Sequence, residues 1–285
     1  MKPIKTLFEA LPQSSAAFPA QLAALYDGGL TLTPPDNRPL VLANFVSTID
    51  GVVSYALPGR SGGGEIGGFN EPDACIMGLL RAHSDAVLTG ASSFNADSGH
   101  VRTPGFVYPP ARELYARLRA SLGKTRPEPM TVIISASGQV NLHEANLHTP
   151  GVETLIITTD AGAERLRAQP GVSAVTYIRS VGAGPELAPE QIVRLLGEDF
   201  GLKVLLNEGG PGLFSSFLKA RRVDQLFLTL APQLAGRDPA HQRPALVSQH
   251  AFLPEDAPWS QLFSLKQSGD HLFLRYGLAA RDTSS

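Results

Sequence analysis

Hydrophobic residues in this chain come in short runs closed by glycine, serine or aspartate, and stretches of helical spacing separate the runs. The runs predict strands at Leu40–Val46, Asp85–Thr89, Thr131–Ile134, Thr154–Ile157, Val172–Ile178, Val204–Leu206 and Asp224–Leu230. Apolar runs this short and continuous suit strands buried on both faces. Helices are expected over Pro19–Tyr26, from Asn70 to His83, over Pro189–Phe200 and from Pro211 onward. The second opens on Asn70-Glu71-Pro72-Asp73, a cap residue, an early proline and acidic groups set against the dipole. Near the end, Gln261–Ser268 and His271–Tyr276 alternate around Gly269-Asp270, which predicts a two-residue hairpin at an antiparallel edge. The pattern is α/β: a single domain over residues 38–285, with a mixed, mostly parallel sheet, helices on both faces and a C-terminal antiparallel hairpin. Residues 1–37 read as an N-terminal arm with no strand.

The stretch Lys203–Ala220 concentrates the candidate chemistry. A buried strand runs into Asn207-Glu208-Gly209-Gly210-Pro211, and a helix follows. The two glycines are expected at backbone angles closed to residues with a Cβ. Free N–H groups and the helix dipole at such a turn favour an anion, although a plain tight turn fits the same letters. Glu208 repels a phosphate, so it is expected to face another part of the site.

Other strand ends add to this. Asp50-Gly51 turns at the carboxyl end of the Leu40 strand, the edge along which ligands bind in open α/β sheets. Asn44 lies mid-strand, where its amide needs a partner or a ligand. Gly90-Ala91-Ser92-Ser93-Phe94 reads as a hydroxyl-rich turn, with Asp97 just beyond. The glycine-rich segment 54–69 is expected to cover a ligand. Its Gly59-Arg60-Ser61-Gly62-Gly63 matches a nucleophile elbow by letter only, since the strand before and the helix after are missing from the pattern.

Composition narrows the classes. The 285 residues carry 24 basic against 26 acidic groups, a net charge of −2, which argues against a nucleic-acid partner. Arg112, Arg117, Arg119, Lys124 and Arg126 read as a solvated helix face and loop. The single cysteine, Cys75, excludes an internal disulfide and suits the reducing cytoplasm, and no apolar run approaches a membrane span. His143 and His148 stand five apart, about 140° around a helix, so no metal site is expected.

The motifs in order carry a family resemblance. Ser47-Thr48-Ile49-Asp50-Gly51, the segment Leu79–Gly90, Ser93 with Asp97, Asn207–Leu213 and Val223–Gly236 appear in register. Over roughly residues 38–277 the chain resembles the C-terminal reductase domain of the bifunctional riboflavin-biosynthesis deaminase-reductase, which has a dihydrofolate-reductase-like fold. The resemblance implies NADPH as hydride donor, a ribosylamino-pyrimidine 5′-phosphate as acceptor, and a homodimer. It implies cofactor contacts from Gly90, Ser93, Asp97, Ser135, Gly209, Gly210, Pro211, Gly212 and Leu213. It implies substrate contacts from Asn44, Arg81, Arg102 and Glu208, with Arg81 and Arg102 at the phosphate, and catalytic roles for Asp50 and Glu208. No deaminase zinc motif occurs, so the implied activity is reduction alone. Val52 replaces the family's usual lysine and Ser93 its usual threonine. Two other readings stay open: reduction of a pterin, dihydrofolate-like or other imine substrate, and a non-catalytic NADPH-binding sensor.

Overall fold

Leu40–Thr48 forms the strand around which the sheet is built, and every residue from Leu40 to Ala43 is buried. The computed structural model describes residues 1–12, 18–57, 60, 62–96, 99–172 and 175–278. Among them the strands are β1 (Lys5–Glu9), β2 (Leu40–Thr48), β3 (Ala86–Gly90), β4 (Met130–Ile134) and β5 (Thr154–Thr158), then β6 (Tyr177–Ser180), β7 (Val204–Asn207), β8 (Gln225–Ala231), β9 (Gln261–Ser268) and β10 (His271–Gly277). The α-helices are α1 (Ala20–Tyr26), α2 (Gly63–Gly67), α3 (Glu71–His83), α4 (Ala91–Ala96), α5 (Pro104–Val107), α6 (Arg112–Ser121), α7 (Asp160–Arg167), α8 (Pro189–Glu198) and α9 (Pro211–Lys219).

The strands form one sheet in the order β1-β9-β10-β8-β2-β7-β3-β4-β5-β6. From β8 to β6 neighbours run parallel, while β10, β9 and β1 continue the sheet in antiparallel fashion. Each face is covered. Leu22, Ile76, Leu79, Tyr115 and Leu118 from α1, α3 and α6 pack on Leu40, Leu42, Val87 and Leu206. Ile192, Leu196, Phe214 and Phe217 from α8 and α9 pack on Val41, Ala43, Leu88 and Leu205 of the other face. The expected α/β sheet with a C-terminal hairpin is therefore present.

Several expectations change. The arm does hold a strand: β1 pairs antiparallel with β9, so the hairpin is an inner part of the sheet and β1 is its edge. Alternation in β1 is weak because Leu7 and Phe8 are both exposed, which hides the strand from a pattern reading. In the glycine-rich segment, α2 seats buried Ile66 against Val46, Val52 and Ala231 at the end of β2. Ser93 belongs to a short helix, α4, and not to an open turn. Helix α7 follows β5, with the Thr159 side chain accepting from the Gly162 N–H as its cap. The strand expected over Val172–Ile178 forms at Tyr177–Ser180, while Val172 and Val175 pack beside Leu166 of α7. Arg119 is buried rather than solvated, donating to the carbonyls of Arg81, Ala82, Ser84, Arg126 and Pro127. Gly59 and Ser61 of the dismissed elbow lie outside the described residues.

Candidate functional site

The topology brings the loops after β2, β7 and β3 together. The chain passes from β2 through α3 to β3, leaving a slot that β7 fills, so the carboxyl end of β7 emerges between the other two. That end delivers Glu208 and Gly209-Gly210. The Glu208 N–H donates to the Leu88 carbonyl of β3, which carries the pairing one residue past the strand.

Arg81, near the end of α3, reaches Glu208 from above. Its Nε lies 3.0 and 3.2 Å from the two carboxylate oxygens and its Nη2 lies 2.7 Å from one of them. The guanidinium is 1% exposed and the carboxylate 10%. Nη1 donates to the carbonyls of Val101 and Thr103, each at 3.2 Å, and Nη2 also meets His100 Nε2 at 2.9 Å. All five N–H donors of the guanidinium are thereby taken. The resemblance puts Arg81 at a substrate phosphate, but this arrangement leaves it no donor to offer one.

Burial alone would raise the Glu208 carboxyl, but the charge and hydrogen bonds of Arg81 outweigh it and hold the group below the usual glutamate range. Glu208 is therefore an acceptor at neutral pH, not an acid. Burial pushes His100 down to about 4, with the charges of Arg81 and Arg102 adding to the effect. Its imidazole is neutral and accepts from Arg81. Arg102 is itself buried, donates to the His100 carbonyl and lies over the Phe94 ring.

Asn44 follows Ala43, the register partner of Asn207, so Asn44 and Glu208 are level on neighbouring strands. Leu42 and Leu206 both pack in the α3 cluster, and alternation sets Asn44 and Glu208 on that same side. The side chain of Asn44 makes no hydrogen bond among the described residues. Asp73 of α3 does more than face the helix dipole. Its oxygen accepts from Thr229 Oγ1 at 2.5 Å, and burial, with the Glu208 charge adding, holds it above the usual aspartate range.

Asp50 has a different occupation. It accepts from Thr48 Oγ1 at 2.6 Å and from the N–H groups of Ala235 and Gly236 at 3.0 and 2.7 Å. The Thr48 hydroxyl, followed by these backbone donors, holds it well below the usual carboxylate range. This geometry ties the loop after β8 to the turn after β2 and does not present an acid to a substrate. Its expected catalytic role finds no support in these contacts.

The glycine turn departs from its expected backbone angles. Gly209 and Gly210 have ordinary backbone angles, φ being −61° at Gly210. They are needed for closeness: a Cβ on Gly209 would stand 2.4 Å from Leu213 Cδ2, and one on Gly210 would stand 3.0 Å from Ser93 Oγ. Gly210 caps α9 without a side-chain hydrogen bond and Pro211 has no N–H, so the N–H groups of Gly212 and Leu213 have no cap. Asn207 Oδ1 accepts from the Gly209 N–H, while its buried Nδ2 has no partner. An uncapped helix start, a close-packed glycine and an orphaned amide together fit an anionic group. Gly90 has open space around it, and Ser135 directly follows β4, two strands away from β7 in the same row. Asp97 lies outside the described residues. Among the described residues no cluster of histidine, cysteine or carboxylate could hold a metal ion.

Sequence reasoning missed His100 and the second role of Asp73. No spacing marks His100, and Asp73 at a helix start has a sufficient local explanation.

Comparison with known proteins places this geometry. A 2,5-diamino-6-ribosylamino-4(3H)-pyrimidinone 5′-phosphate reductase from Archaeoglobus fulgidus is 25% identical over 202 residues, 70% of this chain and 84% of the relative. A pyrimidine reductase-like protein from Corynebacterium diphtheriae superposes with a TM-score of 0.63 at 22% identity, covering 86% of this chain and 93% of that one. RibD from Acinetobacter baumannii gives 0.60 at 19% identity, covering 86% of this chain but only 59% of its own. At such identities the two structures show a shared fold. The profile of the RibD C-terminal domain matches residues 39–267, from the start of β2 into β9 and across the whole Arg81–Glu208 site, and the chain belongs to that family.

Proposed function

We propose that this chain is a reductase of riboflavin biosynthesis acting on a ribosylamino-pyrimidine 5′-phosphate, with NADPH as its reductant. Family membership and the Archaeoglobus relative support the reaction class. The observation that carries the reading is the ionised Glu208 carboxylate, clamped by Arg81 beside an uncapped helix start. NADPH would supply the hydride when bound. Gly210, Gly212 and Leu213 would hold its pyrophosphate through backbone N–H groups, while Gly209, whose own N–H is taken by Asn207 Oδ1, keeps the turn close-packed; Ser93 lies across the gap and Gly90 and Ser135 along the same strand ends.

The chain's own groups then divide the work by charge. Glu208 accepts hydrogen bonds from donors on the pyrimidine ring and so orients it, and Asn44, level with it, contributes an amide. Arg81 holds Glu208 in one orientation. The substrate phosphate is assigned to Arg102 by family position. Asp50 fixes the loop after β8 at the rim. Asp97 belongs to the reading by family position alone.

The test is oxidation of NADPH followed by absorbance, with 2,5-diamino-6-ribosylamino-4(3H)-pyrimidinone 5′-phosphate and its deaminated uracil counterpart as substrates. Turnover with either supports the proposal. NADPH binding without turnover on either, or turnover only with a pterin, overturns it. The reading includes a cytoplasmic homodimer. Among the described residues no helix is long and apolar enough to cross a membrane. The dimer finds no support in the hairpin, whose outer side β1 covers, and light scattering decides it.

A further inference from the structure

We propose that His100 is a positioning residue, whose Nε2 fixes the Arg81 guanidinium and through it the orientation of the Glu208 carboxylate. The inference deepens the proposed function and rests on it for the role of Glu208.

The geometry starts from the count of donors. Four of the five Arg81 N–H groups meet Glu208 oxygens or the carbonyls of Val101 and Thr103. The fifth, on Nη2, has only His100 Nε2, at 2.9 Å. Both Nη2 hydrogens are then directed, one to Glu208 and one to His100, and a planar guanidinium with both ends fixed cannot rotate about its own axis. Without the imidazole that donor is buried and unpaired, and the cheapest remedy is rotation of Arg81 toward another acceptor, which breaks the double contact with Glu208.

His100 is itself held in place. Its carbonyl accepts from Asn146 Nδ2 at 3.1 Å and from Arg102 Nη1 at 3.4 Å, and its ring meets Phe106 edge-on, with 5.3 Å between centroids. Because Nε2 accepts, the ring proton sits on Nδ1. Three separate segments, the loop after α4, the turn before β5 and α5, therefore converge to set one acceptor atom against Arg81. A histidine kept only for packing would not need that atom.

The test compares His100→Leu, which removes the acceptor, with His100→Gln, whose amide oxygen replaces it. With 2,5-diamino-6-ribosylamino-4(3H)-pyrimidinone 5′-phosphate, His100→Leu is expected to raise KM or lower kcat so that kcat/KM falls about tenfold or more. NADPH affinity should stay within about twofold of wild type, and His100→Gln should recover most of the loss. Equal kinetics in Leu and Gln variants, or a change in melting temperature with unchanged kinetics, overturns the proposal. Should the wild type turn over none of the substrates, the proposed function fails, and His100 is judged by NMR instead. The Arg81 Nε–H signal, assigned through Arg81→Lys, should exchange slowly in wild type and His100→Gln and rapidly in His100→Leu. Slow exchange in all three overturns the positioning role.

Discussion

Ser93 Oγ stands 3.0 Å from the point where a Cβ of Gly210 would lie, so the start of α4 and the start of α9 nearly touch across the end of β3. Gly210→Val therefore fills the gap through which a cofactor pyrophosphate would reach the α9 N–H groups. The backbone at Gly210, φ −61° and ψ 175°, is one that valine adopts readily, so the variant should fold. We expect NADPH affinity to fall by about tenfold or more, as for loss of one to two backbone hydrogen bonds to a charged group. Fluorescence titration of NADPH checks this, and a folded variant with wild-type affinity removes the turn from the cofactor site.

Arg81 and Glu208 should behave as a unit. Removing either leaves a buried charge without its partner, and Arg81→Ala or Glu208→Ala should each lower stability by about 3–5 kcal/mol. The double variant should cost clearly less than the sum, since neither charge is then stranded. The folded Glu208 carboxyl lies below its usual range, so its contribution is complete above the unfolded value near pH 4 and is lost as pH falls through the folded value. Denaturation of wild type and Glu208→Gln over a pH series measures this. A stability gap that widens as pH falls through that window would contradict the assignment of an ionised carboxylate.

Much of this fold was legible because most of the parallel strands are continuous apolar runs that stop at a polar residue or a glycine. Strand-end positions of Asp50, Gly90, Ser135 and Glu208 followed from that alone. What each side chain does there did not follow. Asp50 is spent on Thr48, Ala235 and Gly236, and Arg81 on Glu208, contacts that span 127 to 186 positions of sequence except for the local Thr48 bond. Strand β1 stayed hidden because its hydrophobic residues face solvent, and Arg119 because a guanidinium that binds only carbonyls has no partner residue to betray it.

Arg119 should matter for stability and not for chemistry. Its side chain collects the carbonyls of Arg81, Ala82 and Ser84 where α3 ends, together with those of Arg126 and Pro127. Arg119→Met keeps much of the volume but strands these acceptors, at a cost of about 2–4 kcal/mol. Chemical denaturation reads the loss. At temperatures where the variant is folded, KM for NADPH should match wild type; a loss of affinity without a loss of stability would place Arg119 in the site instead.

Strand β1 should protect the sheet from uncontrolled pairing. It covers the outer side of β9, with Lys5 opposite Gln267 and Glu9 opposite Ser264. It also supplies Thr6, whose Oγ1 accepts from the buried Lys266 Nζ at 2.7 Å. Deleting residues 1–10 would expose the N–H and C=O groups of β9 along that edge and take one acceptor from a buried ammonium. Lys266 would keep the Asp27 carbonyl at 2.9 Å, so the deletion should weaken the chain without unfolding it. Thr6→Val separates the two effects, because it removes the hydroxyl and keeps the strand. We expect Thr6→Val to lose about 1–2 kcal/mol and to scatter light as wild type does. The deletion should lose more and should form larger particles as concentration rises. A discrete dimer from the deleted chain would show β9 pairing with its own copy, and an unchanged mass with unchanged stability would show that β1 guards nothing.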